Sequence, residues 1–291
     1  MVLYFAYGSN LCADDLAAWC RARSVKSLEL ELVGPAFLPD RRLAFTHFST
    51  ARGGGVLDVF PVKGHAVEGA VFRLGSDRTL AALDRKEGEG HAYRRIETIA
   101  LTADGGETPV FTYEVVPEHR QTFVAPTERY VEVVRRGYEA HGLSVAPLMA
   151  AARAERHPGT TDGLFVYGTL MRGEERHHVL LRHRIVERGE ATTPGTLVDL
   201  GAFPGLVLGS ARCPVRGELY EPLDPPALFE DLDVVEGFQG FGVFGSLFRR
   251  TLVAVRSVGL RSRTAWVYVY VCGSGRGDEI ASGDWRRVRR S

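Results

Sequence analysis

The chain has 291 residues, 45% hydrophobic and 25% charged, with 36 Lys plus Arg balancing 36 Asp plus Glu. That length allows two domains of ordinary size, each with a core of its own. A formal net charge of zero gives no basic field for nucleic acid, and no apolar run approaches the ~20 residues of a membrane helix.

In chain order, Val2 to Tyr7 is an apolar run cut off by Gly8, which predicts a buried first strand feeding a turn. Asn10 or a neighbour is expected to cap a short helix from Asp14 to Cys20, with Leu11, Leu16 and Trp19 inward. Strand-and-loop material follows at Leu28 to Val33 and Arg42 to Phe48, with Pro35 and Pro39 between. Arg52-Gly53-Gly54-Gly55 reads as a flexible connection; without a following Gly-Lys-Ser/Thr it is no phosphate cradle. Val56 to Pro61 and Ala66 to Leu74 read as two strands. Ser76 is placed to cap a helix with Leu80 and Leu83 at helical spacing, and that helix delivers Glu87 at its end, just before Gly88. Tyr93 to Leu101 and Thr108 to Val116 alternate as closing strands, and Thr127 to Ala140 is an amphipathic helix with Tyr130, Val133, Val134 and Tyr138 inward.

Pro and Gly with small polar residues over 157–163, directly ahead of a new apolar strand, mark a linker. The plan then repeats: a strand from Leu164 to Tyr167, a glycine turn, and a helix near Glu175 to Leu181. Strands near Gly195 to Leu200 and Val215 to Tyr220 come next, then a helix from Ala227 to Leu232 and closing strands Leu247 to Val255 and Thr264 to Val271. No counterpart of the 127–140 helix is visible. Cys12, Cys20, Cys213 and Cys272 have neither C-x-x-C nor metal-ligand spacing, and read as reduced, mostly buried thiols. The N-terminus lacks the features of a signal peptide, so the chain is expected to be cytoplasmic.

The repeat is sharpest at Leu83-Asp84-Arg85-Lys86-Glu87-Gly88, which returns as Leu232-Asp233-Val234-Val235-Glu236-Gly237. Tyr7-Gly8-Ser9-Asn10-Leu11 is echoed by Tyr167-Gly168-Thr169-Leu170, Gly69 by Gly217, and Tyr93-Arg94-Arg95 by Phe248-Arg249-Arg250. A glycine right after a strand lets a ligand approach the backbone, and one carboxylate near such a turn suits a general base. A lone glutamate at a helix end is ordinarily a solvated charge; its recurrence in one frame reverses that preference. Asp84 and Asp233 read as structural, and so do the paired arginines, of which strand alternation lets at most one face a pocket.

These motifs resemble the gamma-glutamylcyclotransferase-like (AIG2-like) superfamily, the first half the classical branch. The second half, with Tyr-Gly-Thr-Leu-Met-Arg-Gly and Phe203-Pro204-Gly205, is more similar to the gamma-glutamylamine branch. The resemblance implies a mixed α+β fold of two tandem domains, 1–150 and 163–291 with a linker at 151–162, each a small β-barrel with flanking helices. It further implies intramolecular attack of a γ-glutamyl α-amine on its own γ-carbonyl, releasing 5-oxoproline and an amine or amino acid, with no metal or cofactor. Glu87 and Glu236 would be the catalytic residues. Tyr7, Gly8, Ser9, Asn10, Leu11 and Tyr93 would bind substrate in one domain, and Tyr167, Gly168, Thr169 and Leu170 in the other. The partner would be a small γ-glutamyl compound, not nucleic acid or membrane; the oligomeric state is left open. Phe248 departs from the family tyrosine. The Phe- and Gly-rich stretch 237–245 is either an apolar lid over Glu236 or a loop packed on the core, and the lid is preferred. Two rival readings stay open: γ-glutamyl removal or transfer on a specialised metabolite, and a non-catalytic copy, the second being the better candidate for that.

Overall fold

The computed structural model describes residues 2–155, 163–209, 213–257, 262–271 and 277–288. Most of the linker, Cys272 and the Arg289-Arg290 pair lie outside them. The chain divides into two compact units, residues 1–102 with 107–160 and residues 103–106 with 161–291.

The first unit runs β1 (Leu3–Ala6), α1 (Ala13–Ala22), β2 (Leu30–Ser49), β3 (Gly54–Leu74), α2 (Asp77–Glu87), β4 (Tyr93–Thr102), β5 (Glu107–Val115), α3 (Glu128–Ala140) and α4 (Ala146–Ala152). Its strands close into a barrel in the order β1-β3-β2-β4-β5, with β1 parallel to β5. Phe5, Phe45, Val59, Ala100 and Val115 fill the core. The second unit runs β6 (Leu164–Val166), α5 (His177–Leu180), β7 (Ile185–Thr193), β8 (Thr196–Asp199), β9 (Pro204–Val207) and β10 (Val215–Pro222). It continues with α6 (Pro225–Glu236), β11 (Phe248–Ser257), β12 (Arg263–Tyr270), β13 (Asp278–Glu279) and α7 (Trp285–Val288). Its barrel order, β6-β10-β7-β11-β12, is the first barrel's order element for element.

The segments before and after Pro35 and Pro39 are one strand, as are those on either side of residues 62–65: β2 and β3 form a single long hairpin. Register shifts between Leu32 and Gly34, Pro39 and Arg41, and Phe45 and His47 let prolines stay within the ladder. At the middle one, Asp40 takes φ 52° and its carboxylate accepts from the Gly64 N–H at 2.7 Å. The glycine stretch 52–55 is a packed turn: Gly55 N–H donates to the Ala125 carbonyl at 2.8 Å, and a Cβ there would lie 2.0 Å from the Val124 oxygen. In the second unit, β7 and the short β9 are strands beyond those expected, and the helix expected over 175–181 is only α5. There β8, β9 and β13 form a separate small sheet. In chain order β8 and β9 lie between β7 and β10, as the outer half of the β2–β3 hairpin lies between the barrel parts of β2 and β3.

Gly69 and Gly217 have a steric origin. Each stands across from the end of the first strand of its barrel, where a Cβ would lie 2.4 Å from the Ala6 oxygen and 2.1 Å from the Val166 oxygen, respectively. Only glycine lets that strand enter its turn so closely. Helix α3 buries the predicted Tyr130, Val133, Val134 and Tyr138, and the Thr127 hydroxyl caps it by accepting from Tyr130 N–H. Of the described cysteines, Cys12 and Cys20 are buried and Cys213 is exposed. Among the described residues no helix is long and apolar enough to cross a membrane.

Candidate active sites

In each unit the first strand ends in a tyrosine and glycine, and a helix ends in a glutamate close by. Helix α2 stops immediately after Glu87 because Gly88 adopts the left-handed conformation at φ 63°; α6 stops after Glu236 at Gly237, φ 64°.

One turn back along each helix, an aspartate fixes the helix to the barrel. Asp84 accepts from the Tyr113 hydroxyl at 2.7 Å and from Arg95 at 2.6 Å, and Asp233 accepts from the Tyr268 hydroxyl at 2.6 Å with Arg250 Nη1 at 3.6 Å. The tyrosines of β5 and β12 also receive the turn: Tyr7 hydroxyl donates to the Tyr113 carbonyl at 2.6 Å and Tyr167 hydroxyl to the Tyr268 carbonyl at 2.7 Å. The turn tyrosine, the strand tyrosine, the aspartate and the glutamate thus form one connected frame in both copies. This is the structural role expected for the aspartates. Tyr113 and Tyr268 repeat in the same frame and are functional positions beyond those expected from the sequence. Arg94 goes to Glu114 and Arg95 to Asp84, so neither faces a cavity.

In the first unit the frame surrounds a cavity of ≈30 Å³ lined by Gly8, Ser9, Asn10, Leu57, Glu87 and five tyrosines, 4, 7, 93, 113 and 130. That is room for about one or two water molecules. Asn10 caps no helix, contrary to expectation: the N-cap of α1 is Cys12, which makes no side-chain cap bond. The Asn10 amide instead donates to Glu87 Oε1 at 2.9 Å and to the Tyr4 hydroxyl at 2.7 Å. Lys86 Nζ lies 3.8 Å from Glu87 Oε1 and 3.4 Å from Ser9 Oγ; burial pushes this ammonium below its ordinary pKa, while Glu87 and Asp15 pull it back. Tyr93 hydroxyl donates to the Leu57 carbonyl at 2.6 Å, and burial holds the Tyr7 and Tyr93 phenols far above their usual range, so both remain neutral donors. Tyr130 arrives from α3, with Arg52 stacked on its ring at 5.2 Å and paired to Asp15 at 2.6 and 2.7 Å. Leu11 is not at this cavity; it is core, packed where α3 passes at Gly137. Lys86, Arg52 and Tyr130 were not among the expected site residues.

The second unit opens a larger cavity of ≈250 Å³, which Tyr167, Gly168, Thr169, Leu170 and Glu236 all line as expected. Leu170 stands where Asn10 does and Val235 where Lys86 does, so both partners of the first glutamate have been replaced by apolar side chains. Among the described residues no hydrogen bond reaches the Glu236 carboxylate. Burial against these walls pushes its pKa from 4.5 up to about 7, with Arg176 pulling the other way. Phe248, in the place of Tyr93, makes one wall; Phe203, Pro204 and Leu247 continue it. Among the described residues no counterpart of α3 covers this cavity; α7 is a single turn.

The expected lid is not found. Phe238 and Phe241 line no part of the cavity; they pack on each other at 5.0 Å, and Phe244 is 97% exposed. What draws the first two away is Arg250, which is fully buried. Its guanidinium lies 4.8–5.4 Å from the rings of Phe229, Phe238, Phe241 and Trp266.

Residues 4–132 and 164–287 each match the family model described as gamma-glutamyl cyclotransferase, AIG2-like. The chain is 35% identical over 129 residues to gamma-L-glutamyl-butirosin B gamma-glutamyl cyclotransferase of Niallia circulans, covering 43% of this chain and 76% of that one. It is 34% identical over 122 residues to a putative gamma-glutamylcyclotransferase of Vibrio cholerae serotype O1, covering 42% of this chain and 93% of the relative. A solved gamma-glutamyl cyclotransferase structure superposes with a TM-score of 0.44 at 24% identity, over 52% of this chain and 85% of that one. Matched twice, across both barrels, the chain belongs to the gamma-glutamyl cyclotransferase, AIG2-like family as a tandem of two copies.

Proposed function

We propose that this chain is a cyclotransferase that converts γ-glutamyl amines or amino acids into 5-oxoproline and the free amine. The observation that carries the reading is Glu236: a carboxyl pushed to about 7 in a ≈250 Å³ cavity beside the glycine turn. A base with a pKa near the working pH is best matched to proton transfer, and an α-ammonium of pKa ~8 must lose its proton before its nitrogen can attack. Glu236 takes that proton. The freed nitrogen bonds to the γ-carbonyl carbon, and the carbonyl electrons move to oxygen, held by backbone N–H groups of the 168–170 turn. Glu236 then returns that proton to the leaving nitrogen as the C–N bond breaks and the carbonyl re-forms, and the ring nitrogen gives up its second proton, which ends on the released amine. Glu87 has the same place beside the 8–10 turn in the first copy. The reaction is intramolecular, so the cavity's further task is to hold the substrate folded.

The room at Glu236 favours turnover there, against the rival reading in which the second copy is non-catalytic. A specialised γ-glutamylated metabolite as substrate is the second reading, favoured by that roomy cavity and by a relative named for γ-L-glutamyl-butirosin B. Release of 5-oxoproline from γ-glutamyl amino acids, γ-glutamyl amines and glutathione tests the proposal, with wild type, Glu87→Gln and Glu236→Gln side by side. Loss in Glu236→Gln for the amines is the expected result. No release by folded wild type from any of these substrates would sink the general reading.

A further inference from the structure

Among the described residues, Arg176 is the single basic side chain lining the second cavity, and Glu236 is the single acidic one; the remaining lining residues are apolar or neutral. Arg176 is fixed at two points. Its backbone N–H donates to the Thr169 carbonyl at 2.8 Å, which ties it to the glycine turn, and its guanidinium lies over the Phe203 ring at 5.9 Å. Its charge is felt at Glu236, yet the two side chains form no ion pair with each other. A cation and an anion held side by side but apart, in a mostly apolar cavity, form a receptor for a zwitterion. The γ-glutamyl group carries that pair on one carbon, an α-carboxylate next to an α-ammonium.

We propose that Arg176 is the carboxylate anchor of the second site, so that Arg176 and Glu236 receive the α-amino-acid head of the substrate as a zwitterion. The inference rests on the cyclotransferase reading of this cavity and extends it to substrate selection. A guanidinium takes a carboxylate through two parallel N–H donors, which sets orientation as well as affinity. With the carboxylate on Arg176, the ammonium falls to Glu236, the group that must deprotonate it. No second cation remains among the described lining residues for the leaving group, so the amine released here is uncharged or cationic beyond its nitrogen, and leaves along the wall of Phe203, Leu247 and Phe248. Among the described residues no arginine lines the first cavity: Arg52 is engaged by Asp15, and Lys86 reaches Glu87 instead. Arg176 is thus a specificity-determining residue of the second copy.

The test compares γ-L-glutamyl butylamide with 4-aminobutyryl butylamide, which lacks only the α-carboxylate; both release butylamine on cyclisation. The full chain carrying Glu87→Gln, to silence the first site, is assayed with Arg176, Arg176→Gln and Arg176→Lys. With Arg176, the carboxylate-bearing amide should be preferred in kcat/KM by on the order of 10- to 100-fold. Arg176→Gln should abolish most of that preference, chiefly through KM, and Arg176→Lys should restore part of it. Discrimination unchanged in a folded, active Arg176→Gln protein overturns the proposal while leaving the cyclotransferase reading intact. Should none of the proteins turn over either amide, the cyclotransferase reading of the second cavity fails, and calorimetric titration of the same two amides decides the anchor separately. A preference for the carboxylate-bearing amide that Arg176→Gln removes supports it; equal or absent binding of both amides refutes it.

Discussion

Glu236→Gln is expected to stabilise the second domain at pH 8 while leaving it nearly unchanged near pH 4. In the folded chain this carboxyl titrates at about 7 instead of 4.5, because burial disfavours its charge. Between those two values the folded state keeps a proton that the unfolded state has released. Stability therefore falls as pH rises through this window, and the whole penalty is present above about pH 7. A displacement of 7 − 4.5 = 2.5 pH units, at about 1.36 kcal/mol each, sets an upper limit of about 3 kcal/mol. The Glu236 side chain is half-buried, and solvent screening reduces this, so about 1–3 kcal/mol is the expected gain. Glutamine stays neutral in both states and has no such slope. The measurement is urea unfolding followed by tryptophan fluorescence in a Trp19→Phe background, which leaves Trp266 and Trp285, both buried in the second unit, as reporters. A difference between the parent and Glu236→Gln proteins that is the same at pH 4 and pH 8 would refute the reasoning.

Other outcomes follow from the same frame. In the Glu87→Gln background, kcat/KM for a γ-glutamyl amine should climb with pH through a midpoint near 7, since the ionised form of Glu236 is the base; a flat profile between pH 5.5 and 8 counts against that role. Arg250→Met should destabilise by about 3–5 kcal/mol, because it strips the partner from a buried Asp233. The same change at the partly exposed Arg95 should cost within about 1 kcal/mol. Equal losses in urea melts of the two variants would contradict this. Gly69→Ala and Gly217→Ala should each lose about 1–3 kcal/mol through the clash with the first-strand carbonyl, and unchanged melting of either would show that the strand can yield.

The residues that were legible in sequence are those that geometry leaves no choice about. Gly69 and Gly217 are forced by a neighbouring carbonyl, Gly88 and Gly237 by a left-handed backbone, and the aspartates by the strand tyrosine each accepts from. Such constraints act alike in both copies, so they surfaced as repeats. What differs between the sites was written in the sequence but had no meaning there. Lys86 against Val235, and Asn10 against Leu170, matter only because folding brings both positions to a carboxylate 77 residues from Asn10. Tyr130 was recognised as an inward face; that it closes the Glu87 cavity depends on where α3 lands. Arg176 gave no signal at all, since it sits in a short irregular segment. The lid failed because a buried arginine elsewhere in the fold competes for the same phenylalanines.

The left-handed glycines that end α2 and α6 do more than stop two helices. They make an acid the last helical residue, at the end where the aligned peptide dipoles present about half a negative charge. For helix stability that is the wrong end, by roughly 0.3–1 kcal/mol for an exposed anion. In the first copy the Asn10 amide and the Lys86 ammonium answer that field; in the second, Leu170 and Val235 leave Glu236 to face it. The placement that makes an acid awkward for a helix makes the same acid readier to take up a proton.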